Sequence, residues 1–135
     1  MEPKSLAEMV QEAKTRIVNL TVEQVADELR NDNILLVDLR ESEERYEQGA
    51  IPGSMSVPRG LLEFWADPAS ARHHKEFTPD RRIILYCATG GRSALAADTL
   101  RQLGYSNVAN LELGFLVWKE SGQPVDKLNT WWTPT

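Results

Sequence analysis

Two uninterrupted apolar runs, Ile34-Leu35-Leu36-Val37 and Ile83-Ile84-Leu85-Tyr86, constrain this 135-residue chain more than any other feature. A strand with one face in water alternates apolar and polar residues, whereas a continuous run reads as a strand buried on both faces. Such strands belong to a mainly parallel sheet, because the helices that connect parallel strands cover both of its sides. The rest of the sequence supplies those helices. Residues 4–18 place Leu6, Met9, Val10, Ala13 and Ile17 on one helical face, behind a Ser5–Glu8 capping box. Thr21 and Gln24 open a second helix carrying Val22, Val25, Ala26 and Leu29. Further helices are expected over residues 42–48, stopped by Gly49, over 93–103, capped by Gly104, and over 114–120. One more helical turn is expected around residues 61–65, inside an irregular stretch from 58 to 80. Adding strands near 17–20, 54–57 and 107–111 to the two apolar runs gives an α/β fold. Its core is a five-stranded, mainly parallel sheet with helices on both faces. In such sheets ligands bind beyond the carboxyl ends of the strands, where Asp38 and Cys87 fall.

The domain is expected over residues 20–124, with an N-terminal amphipathic helix as an extension at 1–19 and a tail at 125–135. An apolar fraction of 41% with 26% charged residues is that of an ordinary globular domain with its own core. The net charge of −5 removes any electrostatic case for binding nucleic acid or an anionic membrane surface. No segment approaches the length of a membrane span, and Met1-Glu2-Pro3-Lys4-Ser5 lacks the pattern of a leader, so a cytoplasmic location is expected. A single cysteine, Cys87, excludes an internal disulfide, a CxxC redox pair and a cysteine-rich zinc site.

Cys87 ends a strand and begins Cys87-Ala88-Thr89-Gly90-Gly91-Arg92-Ser93. A lone cysteine is more often a small buried hydrophobe than a nucleophile. Three features here argue the other way. Gly90 and Gly91 are suited to positive φ, which lets successive N–H groups point inward as an anion nest. The helix that follows adds its positive dipole end and unpaired N–H groups. Arg92 adds a fixed charge. All three favour thiolate over thiol, and the thiolate is the reactive form.

Tyr86-Cys87-Ala88-Thr89-Gly90-Gly91-Arg92-Ser93-Ala94 resembles the active-site loop of the single-domain rhodaneses, sulfurtransferases that carry sulfur as a cysteine persulfide. Other segments are similar to that family in the same order: Val37-Asp38-Leu39-Arg40 with Glu43-Glu44 and Tyr46, Gly49-Ala50-Ile51-Pro52-Gly53, Val57-Pro58, and Gly114-Phe115 with Trp118. Ala50 stands where the family usually has histidine. The resemblance implies a rhodanese-like fold and covalent catalysis by Cys87. Cys87 would take the outer sulfur of a donor such as thiosulfate. The persulfide would be held by the N–H groups of Ala88, Thr89, Gly90, Gly91, Arg92 and Ser93. A thiol, cyanide or an acceptor protein would then remove the sulfur, with no metal or organic cofactor. The six residues from Cys87 to Arg92 match the sulfurtransferase loop; related phosphatases and arsenate reductases use one residue more.

Supporting roles are expected for Asp38 and Arg40, as a structural pair or with Asp38 as a base, and for Arg59 at the pocket mouth. Phe64, Trp65 and Phe115 form either an apolar wall or plain core. His73 and His74 diverge by about 100° on a helix, a poor metal pair, and are expected to face solvent. The N-terminal helix and Trp131-Trp132 either fold back on the body or offer a surface for a homodimer. The readings left open beside an active thiosulfate sulfurtransferase are a sulfur-relay or regulatory persulfide module, a phosphatase or arsenate reductase, and a domain with an inert thiol.

Overall fold

In the computed structural model, which describes residues 2–128, five parallel strands form one sheet. Chain order is α1 (Leu6–Arg16), β1 (Val18–Leu20), α2 (Val22–Glu28), β2 (Leu35–Asp38), α3 (Ser42–Gln48), β3 (Met55–Ser56), α4 (Leu62–Ala66), β4 (Ile83–Tyr86), α5 (Gly91–Gln102), β5 (Val108–Leu111) and α6 (Gly114–Glu120), with a 3-10 turn at Arg59–Leu61. The strand order is β1-β5-β4-β2-β3. Both capping boxes form: the Ser5 and Thr21 hydroxyls accept from Glu8 N–H and Gln24 N–H, each at 3.1 Å.

Strand alternation divides the core in two. Leu35, Val37, Ile83 and Leu85 pack with Ala96, Ala97 and Leu100 of α5 and Leu62 and Ala66 of α4. Leu36, Ile84, Tyr86, Ala109 and Leu111 pack with Val22 and Val25 of α2 and Phe115 and Trp118 of α6. The continuous apolar runs are therefore shared between two layers, residue by residue. Helix α1 lies on α5, where Ala13 is buried, and Arg16 is clamped to Asp98 by bonds of 3.0 and 2.8 Å. Leu6 and Met9 remain exposed. The expected boundary at residues 19–20 cuts through β1, whose partner in the sheet is β5.

Beyond α6 the chain turns back. Trp118 Nε1 donates to the Pro124 carbonyl at 2.9 Å, and Ala50 exchanges backbone bonds of 2.9 and 2.8 Å with Asp126. Ala50 is buried in that pairing. Trp131 and Trp132 lie outside the described residues. Two neighbouring strands, β2 and β4, send their onward connections in opposite directions across the sheet. A crevice opens at such a point, and Asp38 and Cys87 stand at its rim.

Candidate active site

The loop after β4 is shaped from two sides. Its carbonyls are taken by the first turn of α6: Phe115 N–H donates to Cys87 O at 2.9 Å and Leu116 N–H to Ala88 O at 3.1 Å. With the carbonyls turned outward, N–H groups face the sulfur. Gly90 N–H reaches Cys87 Sγ at 3.2 Å and Ser93 N–H at 3.4 Å. The turn needs two close backbone approaches. Gly90 has φ +97°, and a β-carbon on it would overlap the Glu112 carbonyl; Gly114 has φ +78°, and a β-carbon there would overlap the Ala88 carbonyl. Gly91 does not take the positive φ expected of it. It begins α5 instead, so the curvature of the loop comes from Gly90 alone.

Cys87 itself is 1% exposed. Its surroundings are polar, so burial here does not mean hydrocarbon. Ala88, Thr89, Gly91 and Arg92 keep surface and frame the mouth. The Ser93 hydroxyl lies 3.4 Å from Sγ and donates to Asn110 Oδ1 at 2.6 Å. Only Gly90 and Ser93 of the six expected amide donors bond to the sulfur. The donors of Ala88, Thr89, Gly91 and Arg92 are not used on Sγ.

Arg92 is turned to α3. Its guanidinium meets Glu44 in two parallel bonds of 2.8 and 2.9 Å. Those bonds hold the Glu44 carboxyl below the usual carboxylate range and push Arg92 further above its own. Glu44 is therefore a part of the site that residue types alone did not single out.

Asp38 and Arg40 are buried and paired through Arg40 Nε and Nη2 at 3.0 and 2.9 Å. Asp38 also accepts Arg45 Nη1 at 2.8 Å. Arg40 goes on to the Gly49 carbonyl at 2.8 Å and stacks over the Phe115 ring at 4.1 Å. Both Asp38 oxygens are thus occupied by guanidinium and backbone N–H donors, a geometry that suits the structural pair better than a base. Tyr86 belongs to the same cluster; its hydroxyl bonds Ile51 N–H and Ser54, and burial, then Asp38, raises it well above a free phenol.

Arg59 is not brought to the loop. It binds Glu63 at 2.7 Å and Thr99 at 3.4 Å, two turns along α5 from its N-terminus. The cleft it lines, about 750 Å³ between α1 and α5, does not include Cys87. Phe115 is core, Phe64 is exposed, and Trp65 stacks on His74 at 3.8 Å. The histidines do not simply face solvent: His73 Nε2 bonds the Phe77 carbonyl at 2.8 Å and His74 Nδ1 the Arg72 carbonyl at 3.0 Å. No metal-ligand cluster occurs among the described residues. No helix among them is long and apolar enough to cross a membrane.

The geometry of a thiol under amides at a switch point has counterparts. The profile of the rhodanese-like domain matches residues 21–121. The chain belongs to the rhodanese-like family. Within that family it is 34% identical over 94 residues to a sulfurtransferase of Allochromatium vinosum, covering 70% of this chain and 79% of that one. The polysulfide-sulfur transferase homodimer of Wolinella succinogenes superposes with a TM-score of 0.73 and 30% identity, over 90% of this chain and 87% of that one. A Rhodopseudomonas palustris protein of unknown function, described as a possible tyrosine phosphatase, superposes with a TM-score of 0.88 and 37% identity. That match covers 93% of this rhodanese-like chain and 97% of the other.

Besides Glu44, two further polar residues of the site are marked by no motif in the sequence. Asn110 sits in Val108-Ala109-Asn110-Leu111 and Asn19 in Val18-Asn19-Leu20. A single amide inside an apolar strand was the available signal, because a buried amide requires partners.

Proposed function

We propose that this rhodanese-like protein is a sulfurtransferase that moves a sulfane sulfur from a donor such as thiosulfate to a thiophilic acceptor through a persulfide on Cys87. Two of the three relatives described above, those of Allochromatium and Wolinella, are sulfurtransferases, which supports the reaction class. The observation that carries the reading is the pair of N–H donors, Gly90 and Ser93, aimed at Cys87 Sγ. Amides in that orientation stabilise a sulfur anion without reorganising during the reaction.

The steps balance. Ionised Cys87 attacks the outer sulfur of the donor; an S–S bond forms at Cys87 and the donor's own S–S bond breaks, releasing sulfite from thiosulfate. The negative charge then sits on the terminal sulfur, and the loop amides not bonded to Sγ are the donors proposed to hold it. An incoming thiol, cyanide or acceptor protein attacks that terminal sulfur, and Cys87 leaves as thiolate. No cofactor takes part. The cytoplasm suits such a chain, since its one thiol must stay reduced between turnovers.

Thiocyanate formation from thiosulfate and cyanide tests the proposal, and Cys87→Ser abolishes it. Turnover only with a protein donor would instead make this a relay module. A second reading, phosphate-ester hydrolysis, is favoured by the likeness to the Rhodopseudomonas protein. Against it stand the six-residue loop and the engagement of Arg92 by Glu44, which keeps two guanidinium N–H groups from an oxyanion. Cys87-dependent hydrolysis of p-nitrophenyl phosphate would bring it forward.

A further inference from the structure

Behind Cys87 runs a chain of polar groups that leads across the sheet to the end of α1. Ser93 Oγ stands 3.4 Å from Cys87 Sγ and 2.6 Å from Asn110 Oδ1. Asn110 Nδ2 donates to Asn19 Oδ1 at 3.2 Å, and Asn19 Nδ2 donates to the Lys14 carbonyl at 3.0 Å. Ser93 and Asn110 are fully buried. Asn19 and Asn110 are register partners in β1 and β5, which fixes their side chains on one face.

The last acceptor gives the chain its direction. A carbonyl only accepts, so Asn19 turns its NH2 to Lys14 and its oxygen to Asn110. Asn110 must then turn its NH2 to Asn19 and its oxygen to Ser93. A hydroxyl has one proton, and at 2.6 Å that of Ser93 goes to Asn110. What Ser93 presents to Cys87 is a lone pair.

We infer that Asn110 is a positioning residue that acts through Ser93 on the protonation state of Cys87, disfavouring the bare thiolate relative to both the thiol and the persulfide. The thiol fits the network because its S–H donates to Ser93 Oγ. The persulfide fits because its charge is on the outer sulfur and Sγ no longer needs that proton. Only the bare thiolate conflicts with it. Once the thiol proton has left to water, either a lone pair faces the anion or the Ser93 hydroxyl rotates to Sγ and strands Asn110 Oδ1 in the core. The inference rests on Cys87 being the sulfur-carrying group.

The charged and titratable groups on the segments packed against the Cys87 loop are Arg92 paired with Glu44, the Asp38–Arg40–Arg45 cluster with Tyr86, and Glu112 near Lys14. The variants below leave all of them in place. The test is the pH dependence of Cys87 alkylation by iodoacetamide in the full chain, for wild type, Asn110→Leu, Ser93→Ala and the double variant. With Asn110→Leu the hydroxyl is free to donate to sulfur. The midpoint should fall by roughly one pH unit, about tenfold in thiolate fraction. Discharge of the loaded persulfide by cyanide should accelerate with it. In the Ser93→Ala background the same substitution should move neither. An unchanged or raised midpoint in Asn110→Leu, or an equal shift without the Ser93 hydroxyl, overturns the inference. If Asn110→Leu does not fold, Asn110→Val removes the same acceptor with a strand-forming side chain and decides by the same criteria. Alkylation needs no sulfur donor, so failure of sulfur loading would count against the proposed function and leave this test standing.

Discussion

Arg92 and Glu44 face each other in a two-pronged ion pair, 2.8 and 2.9 Å, that ties the Cys87 loop to α3. The pair is partly open to solvent, with 40% of the Arg92 side chain and 28% of the Glu44 side chain exposed. Glu44 therefore both positions the guanidinium and cancels its charge at the mouth. In Glu44→Gln the amide oxygen still accepts one bond, but the cancellation is gone. Thiosulfate, a dianion, should bind better: KM falls about three- to fivefold at low salt, worth about 1 kcal/mol, while kcat stays within a factor of about two. The gain shrinks as salt is raised. An unchanged KM at low ionic strength would show that Arg92 does not meet the donor.

Gly90 and Gly114 interlock, each lying under a carbonyl from the other's segment. Alanine at either position meets both a positive-φ penalty and a backbone overlap. We expect each to cost more than about 2 kcal/mol in denaturant melts and to lose persulfide formation. Gly122 has φ +81° with open space around it, so Gly122→Ala should cost only about 1 kcal/mol and leave sulfur loading intact. Equal costs at the three positions would mean that the overlaps do not matter.

Asp38 compensates two buried guanidinium groups. Removing its charge in Asp38→Asn leaves Arg40 and Arg45 facing each other across an amide, at a cost of about 3–5 kcal/mol. The folded fraction of that variant should still load sulfur. Loss of loading in molecules shown to be folded would restore Asp38 as a participant in the chemistry.

Acid should weaken the fold through its clamped carboxylates. Glu44 and Glu28 are held below their ordinary value by hydrogen bonds from Arg92 and Arg82, and Asp98 by Arg16 and then Arg101. For a lowered carboxylate the unfolded chain binds protons first as pH drops. The stabilisation is thus complete above the unfolded value and disappears as pH falls through the folded one. Urea midpoints should be level from pH 7 to about pH 5 and decline below about pH 4.5. Asp98→Asn, which frees α1 from α5, should flatten part of that decline. A decline of the same slope in the variant would contradict the assignment.

The fold was legible where the chain states its own periodicity. The runs at 34–37 and 83–86 mark β2 and β4, and Ser5, Thr21 and Gly49 mark helix ends within a residue or two. The Cys87 loop could be read because its glycines, cysteine and arginine are contiguous. What could not be read is whatever depends on distant segments meeting. Arg92 finds Glu44 across 48 positions, Asn19 meets Asn110 across 91, and Arg59 is drawn to Thr99 across 40 instead of to the loop. Gly91 is the instructive error: glycine permits positive φ, but the neighbouring helix had already recruited it.

Intact-protein mass spectrometry of the reduced chain, before and after thiosulfate, measures the central event without assuming an acceptor. Wild type should gain the mass of one sulfur atom, dithiothreitol should remove it, and Cys87→Ser should gain nothing. A wild-type mass unchanged by thiosulfate, by polysulfide and by a persulfide-donating protein alike would contradict sulfur transfer through Cys87.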